Sequence, residues 1–277
     1  MTNNIKVIDN IDNLSFFELY PGIRVYQNML SNPQKAYDIL LRSESESEGK
    51  YYIKEWSKWS VFGRYATDKW EDDLSSIEKN KIFNEEKSLA EEIRESYEKA
   101  VWHYFSTTGI EIPENGALTN SSYCKYDANL DFLKNSLTMQ YHTDYIISQK
   151  DMPGDKFHTT CTFYINDNYE GGDIEFYIDG KIITYKPKGG DILIFPSTEP
   201  YWHGVKTITS GNKFFVRSFI MYPYEGSKEW LHMQRRLGAY KWAQMEIERV
   251  DNEDHMLYMK DGKIITHDEA HPKRENV

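Results

Sequence analysis

The spacing of hydrophobic and polar positions changes character near residue 116. Before it, helical and extended periodicities alternate; after it, short strands dominate. The segment FFELYPGIRVYQ (16–27) reads as extended chain broken by a Pro21-Gly22 turn. Asn32-Pro33 then opens a helix, with Pro33 at the first helical position, where its missing N–H does no harm. The polar run SESESEG (43–49) is expected to be a solvated loop. Residues 51–70 are crowded with aromatics, among them Trp56, Trp59, Phe62 and Tyr65, expected to pad a core rather than line a cleft. Asn84 reads as an N-cap, with Glu85 and Glu86 in the first turn where the helix dipole favours anions. Leu89, Ile93, Tyr97, Val101 and Tyr104 recur at helical spacing, which predicts an amphipathic helix over 84–107 with one buried stripe.

Between residues 119 and 222 eight segments alternate β-branched and aromatic residues: TNSSYCKY, SLTMQYHTDYI, TTCTFYIN, DIEFYI, KIITYK, DILIFPS, HGVKTI and KFFVRSFIMY. Asp179-Gly180, between the fourth and fifth, is a strong hairpin signal. So many short strands at this density imply a closed or nearly closed antiparallel structure, such as a sandwich, jelly roll or barrel, with helical flanks covering one face. Past Gly226, Trp230, Met233, Leu237 and Tyr240 mark one side of a further helix, and LYMKDGKIITH marks a hairpin turning at Asp261-Gly262. No repeat and no long linker divides the chain. It reads as one α+β, mainly β, domain over 1–277: a strand and helical part (1–115), a β core (116–224), and a C-terminal helix and hairpin extension (225–277).

Charge narrows the partners. A net charge of -11 repels a phosphate backbone, and the basic residues at 35–42 and 228–241 never form a run of five. Nucleic acid is therefore an unfavoured partner; a small-molecule or peptide substrate fits better. The only cysteines, Cys124 and Cys161, form no CxxC pattern, which excludes a zinc ribbon or thioredoxin motif and predicts reduced, buried thiols. MTNNIKVIDNID has no cationic stretch followed by an apolar one, and no segment reaches eighteen consecutive apolar residues, so a cytoplasmic protein is expected.

The chemistry concentrates in MQYHTDY. Alternate residues of a strand share a face, so His142 and Asp144 can reach one metal ion. A third ligand must come from elsewhere, and His203, in Trp202-His203-Gly204, is the candidate. Two histidines and one carboxylate make a facial triad that leaves coordination positions open, which suits non-haem Fe(II) and oxygen activation. An HxD pair alone is weak, since eight histidines make chance pairs common. Its surroundings strengthen it.

Those surroundings are YEGGDIEF at 169–176, KPKGGDILIFPS at 186–197, HGV at 203–205 and TSGNKFFVRSF at 209–219, following HTD at 142–144. Together, from about Tyr123 to Tyr222, they resemble the catalytic core of the 2-oxoglutarate/Fe(II)-dependent dioxygenases, especially the prolyl 4-hydroxylase-like branch. The resemblance implies a double-stranded β-helix, a jelly-roll barrel with helices on one sheet. It implies Fe(II), 2-oxoglutarate and O2 as cofactor and cosubstrates. It implies iron ligation by His142, Asp144 and His203, and a grip on the distal carboxylate of 2-oxoglutarate by Lys213, ten positions after His203, with help from Tyr126. Arg217 stays open as an alternative anchor, because it shares a strand face with Lys213 and a guanidinium can hold a carboxylate with two hydrogen bonds. The glycine pairs 171–172 and 189–190 match turn positions, and read simply as turns they carry no chemistry. The stretch YDANLDFLKNSLTMQYHTD is longer than its prolyl hydroxylase counterpart and lacks its glycine; in the family this region borders the substrate entrance.

The implied reaction is hydroxylation of an unactivated C–H bond in a peptide side chain, amino acid or small metabolite, with release of succinate and CO2. Related halogenases lack the carboxylate ligand, so Asp144 favours hydroxylation. Two other classes remain in view. A nucleic-acid or nucleobase oxidase of the same superfamily would need a basic, aromatic-lined groove. A non-enzymatic cupin-like metal-binding protein or a zinc hydrolase would lack the spaced basic residue after the last histidine, and the hydrolase would need a general base nearby.

Overall fold

A computed structural model of the chain describes residues 13–47, 52–53, 56–59, 76–111, 117–118, 121–128, 137–144, 157–221, 256–260 and 263–265. In chain order the elements are β1 (Phe16–Tyr20), β2 (Ile23–Tyr26), α1 (Pro33–Ser47), β3 (Tyr52–Ile53), β4 (Trp56–Trp59), α2 (Ser76–Thr108), β5 (Ala117–Leu118), β6 (Ser122–Asp127) and β7 (Leu137–His142). There follow β8 (Phe157–Tyr164), β9 (Glu170–Gly171), β10 (Ile174–Ile178), β11 (Lys181–Tyr185), β12 (Ile192–Pro196), β13 (Trp202–Lys206), β14 (Ile208–Ser210), β15 (Asn212–Met221), β16 (Met256–Lys260) and β17 (Lys263–Ile265). All eight strand segments expected from the pattern are present.

Among the described residues the strands form two main antiparallel sheets. One runs β1-β2-β12-β8-β15-β6-β4-β3, with β5 also on β15; the other runs β11-β10-β13-β7-β16-β17. The β10–β11 hairpin closes through Asp179 and Gly180, both with positive φ (51° and 75°), the conformation of a two-residue type I′ turn. The Pro21-Gly22 turn joins β1 to β2, where Gly22 adopts a φ of 84°.

Period-two alternation divides the larger sheet between two cores. Cys161 and Phe163 on β8, Ile192 and Ile194 on β12, and Phe214, Val216 and Ile220 on β15 pack with the helices. Their neighbours Tyr164, Leu193, Phe195 and Phe215 face the second sheet. The predicted stripe of α2 is buried at all five positions and packs into the helix-side core. Burying a side chain such as Ile93 stabilises by about 1.5–3 kcal/mol. The Tyr97 hydroxyl lies between the carbonyls of Cys161 and Val216 and shares its one proton with them, tying α2 to the backbone of β8 and β15. Neither cysteine is in a disulfide, and both are buried.

Two local expectations are corrected. The SESESEG run is not a loop from its start: α1 continues to Ser47 and Ser43 is buried. Glutamate is a good helix former, and alternating it with serine does not stop a helix already nucleated by Pro33. Asn84 is not a cap: α2 begins at Ser76, leaving Asn84 exposed in its interior. An asparagine on the wet side of a helix costs only a few tenths of a kcal/mol, about what its propensity implies. Upstream, Asn32 does cap α1, its Oδ1 accepting the Lys35 N–H at 3.0 Å.

The expected helix after Gly226, the aromatics Phe62 and Tyr65, and the side chains of Trp56 and Trp59 lie outside the described residues. The C-terminal hairpin is present as β16 and β17, and β16 extends the second sheet alongside β7, with Met256 opposite His142. Among the described residues, no helix is long and apolar enough to cross a membrane.

Candidate metal and cosubstrate site

His142 ends β7 and His203 is its register partner on β13. Between the pairs His203↔His142 and Val205↔Met139, two steps along β13 face three along β7. This bulge places Met139 and His142, which plain alternation would send to opposite faces, on one pocket with His203 and Val205. Gly204 makes the bulge possible: a Cβ there would stand 2.9 Å from the Met139 carbonyl oxygen and 3.3 Å from the Tyr141 nitrogen. Asp144 does not share a strand face with His142, as simple alternation predicts. It stands two residues beyond the end of β7, and the bend at the strand end turns its carboxylate back to the histidines.

The three side chains converge. One ligand atom from each lies within 4.8 Å of the others, and all three residues are buried. The His142 Nε2 is 3.7 Å from Asp144 Oδ1, and the His203 Nε2 is 3.4 Å from Asp144 Oδ2. Each Nδ1 instead meets a backbone carbonyl, of Gln140 at 2.8 Å and of Tyr201 at 3.2 Å. A carbonyl accepts only from an N–H, so Nδ1 carries a proton in each ring, and Nε2 is the ring atom left for a metal. Burial, reinforced by the neighbouring His203, holds the His142 imidazole below its ordinary pKa, favouring the neutral form. Burial alone would raise the Asp144 carboxyl; the histidines, His203 foremost, outweigh it and hold the group well below the usual carboxylate range.

The donor set fits a ferrous ion. Asp144 Oδ1 is buried without a hydrogen-bond partner, an arrangement that costs free energy unless a cation meets it. Its other oxygen accepts from Thr160 Oγ1 at 2.7 Å. Because that hydroxyl gives its one proton to Asp144, the 2.8 Å contact with Ser197 Oγ must run from Ser197 to Thr160. The relay fixes one carboxylate oxygen and leaves the other for the metal.

Lys213 and Arg217 line the same pocket as the triad. Lys213 pairs in register with Tyr126 across β15 and β6, and both are buried. The ammonium of Lys213 donates to the Gly172 carbonyl and lies 4.9 Å from the centre of the Tyr164 ring. Burial, with the charge of Lys186 adding to it, lowers its pKa to about 7. Gly172 is more than a turn residue: a Cβ on it would stand 2.3 Å from the Ile208 side chain and 3.3 Å from the Lys213 stem. The Tyr126 ring packs 4.9 Å from Phe215 at the wall of the pocket.

Residues 130–221 match the sequence model of the 2OG-Fe(II) oxygenase superfamily, a span that holds the triad, Lys213 and Arg217. Over that span the chain is similar to members of this superfamily. The chain is 22% identical over 194 residues to PKHD-type hydroxylases from two strains of Acinetobacter baumannii, covering 69% of this chain and 70% of the relative. A prolyl hydroxylase of Trichoplax adhaerens, in complex with a hypoxia inducible factor fragment, aligns over 73% of this chain and 84% of its own, at 15% identity and a TM-score of 0.46. A viral collagen prolyl hydroxylase of Paramecium Bursaria Chlorella virus-1 aligns over 73% and 90%, at 14% identity and a TM-score of 0.47. The oxygenase class uses Fe(II), 2-oxoglutarate and O2.

The roles of Thr160, Ser197, Gly172 and Gly204 in the site escaped the sequence reading. Gly204 carried a weak signal as the residue after His203, and Gly172 as a paired glycine; the two hydroxyl residues sit in β segments where threonine and serine are unremarkable.

Proposed function

We propose that the oxygenase hydroxylates an unactivated C–H bond of a peptide side chain, amino acid or small metabolite, coupled to conversion of 2-oxoglutarate to succinate and CO2. The observation that carries this reading is the convergence of His142, Asp144 and His203 in one pocket with the enclosed ammonium of Lys213. In this reading the triad holds Fe(II), Lys213 grips the distal carboxylate of 2-oxoglutarate, and Tyr126, its register partner, assists. Iron loaded with 2-oxoglutarate supplies the oxygen activation. The protein's own groups position and shield: two carbonyls hold the histidine tautomers, Thr160 orients Asp144, and Met139, Ile174, Phe195 and Val205 keep the pocket wall apolar. The presence of Asp144 favours hydroxylation over halogenation. The similarity to PKHD-type hydroxylases supports a hydroxylase.

We read the two sheets as the two halves of a double-stranded β-helix, and the chain as one domain, since the N-terminal β1–β2 hairpin and the C-terminal hairpin both join sheets that line the site. A cytoplasmic location and a substrate other than nucleic acid fit the charge and the chain's composition. The test is anaerobic addition of Fe(II) and 2-oxoglutarate, expected to produce a weak visible charge-transfer band, followed by a succinate-release screen. Ala at position 142, 144 or 203 should abolish both. Wild-type turnover by His142→Ala or His203→Ala would end the triad reading.

A further inference from the structure

We propose that Lys186 is a positioning residue for Lys213, and that through it Lys186 sets the length of 2-oxo diacid the pocket accepts. The inference rests on the cosubstrate reading above and deepens it, by naming what fixes the anchor in place.

A lysine head is a compact charge on a flexible four-carbon stem, with little geometry of its own. Where the Lys213 ammonium sits therefore depends on what receives it. It donates to the Gly172 carbonyl, in the turn between β9 and β10, and the Tyr164 and Tyr169 rings flank it with centres 4.9 and 5.7 Å away. The same turn receives a second ammonium. Lys186, the residue after β11, donates to the carbonyls of Tyr169 at 3.2 Å and of Gly171 at 2.6 Å. Its Nζ lies 4.3 Å from the centre of the Tyr169 ring. One short turn thus aims carbonyls at two lysines, with an aromatic ring in contact with both. Burial first, and the like charge of Lys186 second, lower the Lys213 pKa, so the two ammoniums stand within electrostatic reach.

The turn is held from two sides. Gly171 and Gly172 both have positive φ, 72° and 68°, a conformation glycine adopts freely but loses backbone entropy to keep. On one side the Thr207 carbonyl accepts the Gly172 N–H at 3.2 Å, and the Asp173 carbonyl accepts the Lys206 N–H at 2.8 Å. On the other side Lys186 meets the carbonyls of Tyr169 and Gly171, with Asp173 Oδ1 3.9 Å from its Nζ. Yet the Lys186 side chain is 42% exposed and stands outside the described lining of the pocket. Removing its head loosens the turn, and with it the carbonyl that fixes Lys213, without taking any contact from the cosubstrate.

A fixed ammonium measures length. The triad holds one end of the cosubstrate and Lys213 the other, so a rigid anchor suits one spacing between keto group and distal carboxylate. A mobile anchor tolerates a further methylene. 2-Oxoglutarate and 2-oxoadipate differ by that methylene and carry the same charge. Whatever Lys186 contributes merely as a positive charge cancels in the ratio of their affinities, and a change in the ratio reports position.

The test is equilibrium binding of the two acids to the full-length, Mn(II)-loaded protein, by calorimetry at one pH and salt concentration. Denaturant unfolding of each variant checks the fold. The wild type should prefer 2-oxoglutarate at least about tenfold, the worth of a methylene in a fitted pocket. Lys186→Met should shrink that preference to about threefold or less, and should weaken 2-oxoglutarate by less than the roughly hundredfold that an ångström of misplacement can cost. Lys186→Ala should do the same, and Lys186→Arg, which can still donate to both carbonyls, should restore the preference. Two results would each overturn the proposal: a wild type that binds both acids equally, or a preference that survives intact in Lys186→Met and Lys186→Ala. Failure of the underlying reading would look different, because Lys213→Ala would then bind 2-oxoglutarate as tightly as the wild type.

Discussion

Lys213 is an ammonium enclosed against the Gly172 carbonyl and tyrosine rings, and its environment makes it pH-sensitive. Its pKa falls from 10.5 to about 7 on folding. Between those values the unfolded chain holds the proton and the folded chain does not, so this group's contribution to stability grows as pH rises through the window and is lost as pH falls to 7. A carboxylate placed beside it restores the charged form. Binding of 2-oxoglutarate at pH 8 should therefore take up about one proton and weaken as pH rises further, which calorimetry in buffers of different ionisation heat will read. Lys213→Ala should abolish the uptake and raise the KM for 2-oxoglutarate on the order of tenfold to a hundredfold, the worth of a charge-assisted hydrogen bond, while iron binding survives. Arg217→Ala should move that KM far less. The Thr160 hydroxyl acts one bond further from the metal. Thr160→Val should lower Fe(II) affinity roughly tenfold to a hundredfold in an anaerobic titration, with Thr160→Ser near wild type. Equal affinities in all three would show that the relay does not orient Asp144.

At the scale of elements, the β7 bulge decides whether the site exists. It brings Met139 and His142 to one face, and it needs the bare backbone of Gly204 on the facing strand. Gly204→Ala would push a methyl group into the Met139 carbonyl, so β7 or β13 must shift. The expected cost is about 1–3 kcal/mol of stability, as for other overpacked sites, together with a loss of metal affinity larger than that of Thr160→Val. Denaturant unfolding and metal titration of the same variant will check both; unchanged metal affinity would show that the bulge does not aim His142. The helices teach a different lesson. The stripe of α2 was legible because five residues at helical spacing have one way to be buried together. Its start and the end of α1 were not, because Asn84 and the SESESEG run are compatible with both helix and loop, and neighbouring turns decide.

At the scale of the whole molecule, net charge limits what the surface can attract. With a charge of -11, the protein should show no detectable binding to DNA or RNA at physiological salt. Salt-sensitive binding to either would indicate a basic surface formed by the fold and would reopen the nucleobase-oxidase reading. The larger sheet works as a divider: its helix-facing side chains form an apolar core, while its other face supplies Thr160, Thr162, Tyr164, Lys213 and Arg217 to the pocket.

From sequence alone came the strand segments, the Asp179-Gly180 turn, the α2 stripe, the buried reduced cysteines and the identities of the three converging side chains. Each depends on local periodicity, on the φ preference of a turn residue, or on a motif contained in a few consecutive positions. The tertiary structure decided how those parts meet. The bulge, the close approach at Gly204, the turn of Asp144 back from the end of β7, the Ser197–Thr160 relay and the enclosure of Lys213 by Gly172 all join segments remote in the chain. Register between such segments is set by how whole sheets pair and pack, and no single stretch of sequence carries it.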